Sequence, residues 1–429
     1  MSATTSWDWQ PGESTPLQLA VLSGGAEIIE FAPSLDGLRL AAVVADDDGM
    51  RVRILGPGDE VVEWPETWER VRQLQWSDSG NLAAIIGQDY TWTVVEDGEA
   101  WPDTYEFLWD LRRAADGRLI GNIKTDDGYG LAAAGEPWSR FYPMVREWCL
   151  SPQGARTACT VQVEAKKEAD TAAFASGLWS LAVDGEPWSR KFVNVWEPCF
   201  SHDGRRTAAL VRLSRTEHTV AVDGEPWPQA FGCAWGPIFT PDGSVIAPIK
   251  TGTGWTLGRD GQPDWRGRFT QLWRQVAAAD GRVAAVVAPE FGNWTVAVDG
   301  KPWSTSWDEW AGTPVFADGD DERVASAVKS GGRWSVAVDG RPWDLTGERL
   351  LGPLILPDGG PVLARIERDG LWQVAMEGRP VGGAWNKLWP ITVGPEGDRL
   401  LIRGLDKNGD YHRQVLSLAD LRSIKRSPA

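Results

Sequence analysis

The stretch Thr219-Val220-Ala221-Val222-Asp223-Gly224-Glu225-Pro226-Trp227 decides the fold. It reads as a short apolar strand, an Asp-Gly turn and a second extended segment carrying Pro-Trp. Asp-Gly between extended runs signals a tight hairpin, because a primed turn needs positive φ and glycine supplies it without steric cost. Near copies stand at 183–188, 298–303 and 338–343, and weaker ones at Asp97-Gly98, Ala134-Gly135, Asp260-Gly261 and Glu377-Gly378. The chain is therefore built from repeats, and any function has to be read against them.

A second marker alternates with the first. Asp36-Gly37, Asp116-Gly117, Asp203-Gly204, Asp242-Gly243, Asp280-Gly281, Asp358-Gly359 and Glu396-Gly397 recur about every 40 residues, the period of propeller blades. An extended segment precedes each marker, such as Pro198-Cys199-Phe200-Ser201-His202. A run of small and branched apolar residues follows it, such as Thr207-Ala208-Ala209-Leu210-Val211. Each repeat is thus four short strands joined by tight turns, which is a β-propeller blade. A helical solenoid is excluded by the Gly and Pro punctuation and by apolar residues that alternate with period two.

The pattern predicts an all-β fold, a β-propeller of about ten four-stranded repeats filling residues 1–429, with the blades over about 27–420. The last repeat lacks its Pro-Trp strand, while the N-terminus has a spare apolar run, Leu17-Gln18-Leu19-Ala20-Val21-Leu22. That run, about 17–22, is expected to complete the last blade and remove an open sheet edge. Shared termini favour one closed ring, and two smaller rings remain the alternative.

The 27 tryptophans, against 5 tyrosines and 11 phenylalanines, fall into three repeated places. One series precedes the hairpin turn (Trp92, Trp179, Trp255, Trp294, Trp334, Trp372). A second follows it (Trp101, Trp138, Trp188, Trp227, Trp265, Trp303, Trp343). A third lies near the next blade's first strand (Trp76, Trp109, Trp148, Trp196, Trp235, Trp273, Trp310). Fixed repeat positions point to packing between blades. A series that stayed exposed would instead be an aromatic face for a partner.

One repeat departs from the others. Residues about 161–178 form a longer loop rich in Ala, Glu and Lys, open to a helical turn or two. Insertions in one repeat map to one face, where repeat proteins tend to carry function, so Lys166, Lys167 and Phe174 are the candidate partner-binding residues, with a solvated, tolerated loop as the alternative.

Chemistry is otherwise sparse. With 43 Lys and Arg against 60 Asp and Glu, the net charge of −17 argues against nucleic acid or an anionic bilayer as the main partner. No run approaches the roughly 18 apolar residues of a membrane span. The start has neither a basic n-region nor an apolar h-region, so the chain reads as cytoplasmic. Cys149 and Cys199 occupy equivalent places, but the four cysteines form no disulfide framework or metal motif and read as free thiols. With only three histidines, a His-based metal site is not expected, and His218 stands where other blades place Trp. No Gly-x-Ser-x-Gly elbow, phosphate loop or dinucleotide fingerprint occurs. No cofactor and no catalytic residue are expected.

The blade pattern, best seen in Phe239-Thr240-Pro241-Asp242-Gly243, resembles the repeats of TolB-like and WD40-like propellers. The Val-Asp-Gly-Glu-Pro-Trp blocks at 183–188 and 222–227 and their relatives are also similar to the tryptophan-rich D subunit (TmcD) of the Tmc transmembrane electron-transfer complex of sulfate-reducing bacteria. That resemblance implies a cytoplasmic, non-catalytic accessory subunit. It would dock beside iron–sulfur and membrane cytochrome subunits, peripheral to the inner membrane, without carrying electrons itself. Two alternatives stay open: a soluble enzyme or ligand-binding propeller with a site in the central channel, and a generic scaffold.

Overall fold

The computed structural model describes residues 7–165, 177–319 and 321–423. The strands form ten antiparallel sheets, and the protein is a ten-bladed β-propeller. By compactness the chain divides into residues 1–113 with 363–429, and residues 114–362.

The fifth blade shows why the sequence folds this way. Its first three strands are Asn194–Phe200, Thr207–Arg212 and His218–Val222, and its fourth is only Glu225–Pro226. Asp223 and Gly224 take φ of 50° and 87°, the two left-handed residues that a primed hairpin turn requires. Proline sits in the fourth strand because that strand is an edge, where a missing N–H breaks no ladder. The second strand is apolar from Ala208 to Val211: Ala208, Ala209 and Val211 are fully buried, covered on both faces as a run without polar alternation demands.

The last blade is closed from the N-terminus, with a change of detail. Gly12–Glu13 and Leu17–Gln18 both pair antiparallel with Asp410–Ser417, with Gly12 opposite Val415 and Leu17 opposite Tyr411. The expected strand over 17–22 therefore ends at Gln18, and Leu19–Ser23 is a short helix. Gly24 stops that helix in the left-handed conformation, its N–H donating to the Ala20 carbonyl, as a C-terminal glycine does. The helical turn swings Leu22 into the core formed by Leu40, Leu55 and Tyr411, which a continued strand would have left facing outward.

The predicted insertion is also shorter than 161–178. Val161 and Gln162 complete the strand Thr157–Gln162, the Val163 N–H donates to the Leu178 carbonyl at 2.8 Å, and Leu178 is buried. A branched apolar residue next to a strand extends the ladder rather than leaving it.

Candidate functional site

Most of the repeated motif is consumed by holding blades together. The turn aspartate accepts the N–H that opens the second strand: Asp184 from Thr157 at 2.8 Å, Asp223 from Thr207 at 2.8 Å, Asp299 from Val283 at 2.9 Å, Asp339 from Val324 at 2.9 Å. The tryptophan of one blade lies on the turn glycine of the next. A Cβ on Gly185, Gly224, Gly261, Gly300 or Gly340 would meet Trp138, Trp188, Trp227, Trp265 or Trp303 at 3.1–3.2 Å. Glycine is thus required twice over, by its positive φ and by a ring against its face. Four residues after Trp138, Trp188, Trp265 and Trp303 another aromatic ring meets the tryptophan edge-on, as in Trp188–Phe192 and Trp303–Trp307, both at 6.3 Å. The sequence reading passed over that Pro-Trp-x-x-x-aromatic spacing.

The second marker also clasps neighbours. Asp203 accepts from the Ser201 hydroxyl at 2.6 Å and the Arg205 N–H at 3.0 Å. These bonds hold its carboxyl below the usual value. Asp242, held by Ser244 and Thr240, is lowered as well. An arginine just after the turn reaches a carbonyl of the following blade: Arg39 to Gly80 at 2.6 Å, Arg118 to Gly154 at 3.1 Å, Arg323 to Gly360 at 2.5 Å.

The third tryptophan series is not one position. Aligned on the strand register, Arg72, Arg146, Trp196, Trp235 and Trp273 share a place on the first strand. Each lies over an aromatic ring of its own blade. The guanidinium groups of Arg72 and Arg146 stand 4.3 Å over Trp92 and 3.9 Å over Trp179. Trp196 stacks on His218 at 6.3 Å, Trp235 on Trp255 at 5.5 Å and Trp273 on Trp294 at 4.6 Å. His218 is thus a stacking residue, with its pKa lowered by burial and by Arg212.

Immediately after this place the first strand bulges. Gln73, Asp110, Glu197 and Arg274 sit there with φ of 49–60°. The side chain at the bulge accepts hydrogen bonds from the next blade's bulge. Glu30 takes the N–H groups of Gln73 and Leu74, both at 2.8 Å, and Gln73 that of Leu111 at 3.2 Å. Glu147 takes the N–H of Glu197 at 2.6 Å, and Glu197 accepts from the Gly236 N–H. The Glu197 carboxyl is raised from its usual value by partial burial and by Glu147, against the lowering effect of that Gly236 bond.

The series lapses at the sixth and seventh blades, where Gly236 has no side chain and Arg274 can only donate. A cleft of about 540 Å³ opens at this place, lined by Glu197, Trp235, Ile238, Trp273, Arg274, Gln275 and Trp310. Trp235, at 38 % exposure, is the one exposed tryptophan among the described residues. Arg274 covers the face of Trp310 at 4.9 Å.

The turns between second and third strands are further candidates, each within its own blade. Tyr90 and Phe291 stand at equivalent tips in the second and seventh blades, 98 % and 92 % exposed. Tyr90 holds φ of 63°, a conformation costing a non-glycine residue about 1–2 kcal/mol. The predicted insertion leaves the fourth blade at this same turn. Its candidate residues Lys166, Lys167 and Phe174 lie outside the described residues.

Cys149, Cys159, Cys199 and Cys233 stand outside any disulfide, and burial together with Cys149 pushes the Cys199 thiol up to about 12. Among the described residues no group of three or more His, Cys, Asp or Glu converges as a metal-ligand set. No helix among them is long and apolar enough to cross a membrane.

No family profile matches the chain, and no curated protein matches it. Solved structures do. The chain is similar to a eukaryotic initiation factor, with 13 % identity over 85 % of this chain and 90 % of that one and a TM-score of 0.48. It is similar to a putative TolB from Agrobacterium tumefaciens, with 15 % identity over 47 % and 81 % and a TM-score of 0.30. It is also similar to the β-propeller domain of the Trilobed protease from Pyrococcus furiosus, with 14 % identity over 64 % and 97 % and a TM-score of 0.29. At these scores the likenesses carry no functional weight, and the fold rests on the strand pairing itself.

Proposed function

We propose that this protein is a non-catalytic interaction propeller that engages a protein partner through its second-to-third strand turns. The fold fits such a role. The observation that carries the reading is the near-complete exposure of Tyr90 and Phe291 at equivalent turns. Tyrosine and phenylalanine left wholly in water gain nothing for the fold, and rigid aromatic side chains are what protein interfaces enrich. The other described aromatics of these blades are stacked or packed, so exposure here is selective.

The narrower reading is a cytoplasmic accessory subunit of a membrane-associated electron-transfer complex, beside iron–sulfur and membrane cytochrome subunits. It rests on the resemblance of the Val-Asp-Gly-Glu-Pro-Trp blocks. Since Asp184, Gly185, Asp223, Gly224 and their tryptophans hold blades together, those blocks support a shared blade design more than a shared docking residue.

The test is a pull-down of tagged protein from its host's membranes in mild detergent, beside a Tyr90→Ser/Phe291→Ser double variant. A partner retained by the parent and lost by the folded double variant supports the interaction reading. Haem and iron–sulfur absorbance in that eluate supports the narrower one. Identical eluates from both proteins overturn the assignment to these turns, and a colourless parent eluate overturns the redox reading.

A further inference from the structure

We propose that the cleft at the sixth to eighth blades is a binding site for a small aromatic monocarboxylate. It would bind with its acid group on Arg274 and its ring on Trp235. The site is independent of the turns assigned above to a protein partner.

The argument starts from the repeat. At the first-strand bulge Glu30, Gln73, Glu147 and Glu197 each supply an acceptor to the following blade. Gly236 supplies none, and Arg274, next in line, has five donors and no acceptor. Gly236 thus offers no carboxylate to the Arg274 bulge, and the space beside Gly236 itself is filled by the Glu197 carboxylate. Some arginines elsewhere on the blades hold carboxylates: Arg118 with Asp116 at 2.8 Å, Arg206 with Asp223 at 3.2 Å, Arg282 with Asp280 at 2.7 Å. Arg274 makes no such pair among the described residues, and its one contact of this kind is the face of Trp310. Arg274 thus stands on a cleft wall with no carboxylate partner among the described residues, and a carboxylate is the group its planar fork matches.

The walls are built to stay in place. Trp235 is backed by Trp255 with the rings 3° from parallel, and Trp273 by Trp294. Gln275, buried in the wall, donates from Nε2 to the Gly236 carbonyl at 2.7 Å. Preorganised aromatic platforms spare a ligand the cost of ordering them. The volume of about 540 Å³ lies within the range of small-ligand sites. Glu197 sets the charge limit. Its carboxyl is engaged by Gly236, and a second negative group on the ligand would face it, so one carboxylate is accommodated and two are not.

The probe is 4-fluorophenylacetate, titrated against the full chain by fluorine NMR and calorimetry, with 4-fluorophenylacetamide as its neutral isostere. The acid is expected to saturate and to bind at least about ten-fold tighter than the amide, as a charge-assisted bond requires. Arg274→Gln should erase that preference while the circular dichroism spectrum and Tm stay unchanged. Trp235→Ala should weaken acid and amide by the same factor. Equal binding of acid and amide, or a preference that survives Arg274→Gln, overturns the proposal. Absence of acid binding also overturns it, including the case in which a peptide ending in Phe binds and the free acid does not.

Discussion

At the first-strand bulge the fifth and seventh blades share one backbone conformation and carry opposite side chains. At the first-strand bulge, Glu197 and Arg274 hold φ of 49° and 55°, so the repeat dictates the same local geometry. Glu197 accepts the Gly236 N–H and ties its blade to the next. Arg274 makes no such bond; it covers the face of Trp310 and lines a cleft. The bulge is thus a property of the fold, and its chemistry is free to vary: an acceptor there makes a clip, and a donor makes an opening.

Four measurements break or sharpen that comparison, taken from the largest effect down. Trp227 is buried and lies on Gly261, so Trp227→Ala should cost about 3–5 kcal/mol in chemical denaturation. Trp235→Ala, at the open cleft, should cost no more than about 1.5 kcal/mol, the worth of one ring pair. Equal costs would mean that Trp235 is as structural as the rest. Gly224→Ala combines a left-handed φ with a Trp188 contact at 3.2 Å and should cost about 2–4 kcal/mol. Loss of the two Glu30 bonds in Glu30→Ala should cost about 2 kcal/mol, while Arg274→Ala stays within about 0.5 kcal/mol. If both shift alike, the distinction between clip and opening fails.

The smallest effect is the acid response, which the comparison requires to be the same in both regions. Asp203 and Asp280 are held below their usual value in the folded chain, Asp203 chiefly by Ser201 and Asp280 chiefly by the Arg282 N–H. A folded carboxyl with a depressed pKa contributes stability above its unfolded value, and that stability is lost as pH falls through the folded value. Protection of the Arg205 and Arg282 amides, which donate to these carboxylates, should hold at about pH 5 and fall together below about pH 4. Loss in only one of the two blades would show that the turns are not equivalent.

The repeat, the hairpin turns, the four strands per blade and closure from the N-terminus were legible because each rests on neighbours in sequence. Asp-Gly turns, period-two strands and a spare apolar run are all local signals. Even there, tertiary packing overrode one of them: Leu22 went into the Leu40 and Tyr411 core and turned half of the expected strand into a helix. The tryptophan spacing likewise named residues without assigning their surroundings. Trp148 and Trp235 stand in one series in the sequence, yet one is buried and the other exposed.

By itself the sequence determined the propeller, because backbone φ demands and apolar alternation are fixed within a few residues. Only the tertiary structure decided what the bulge does. Glu147 and Glu197 lie 50 residues apart, and the bulge shifts register between paired strands, so which side chain meets which N–H depends on blade stacking. The cleft lies where Gly236 has no side-chain acceptor and Arg274 has only donors to offer. A missing contact becomes visible only once the neighbouring blade is in place.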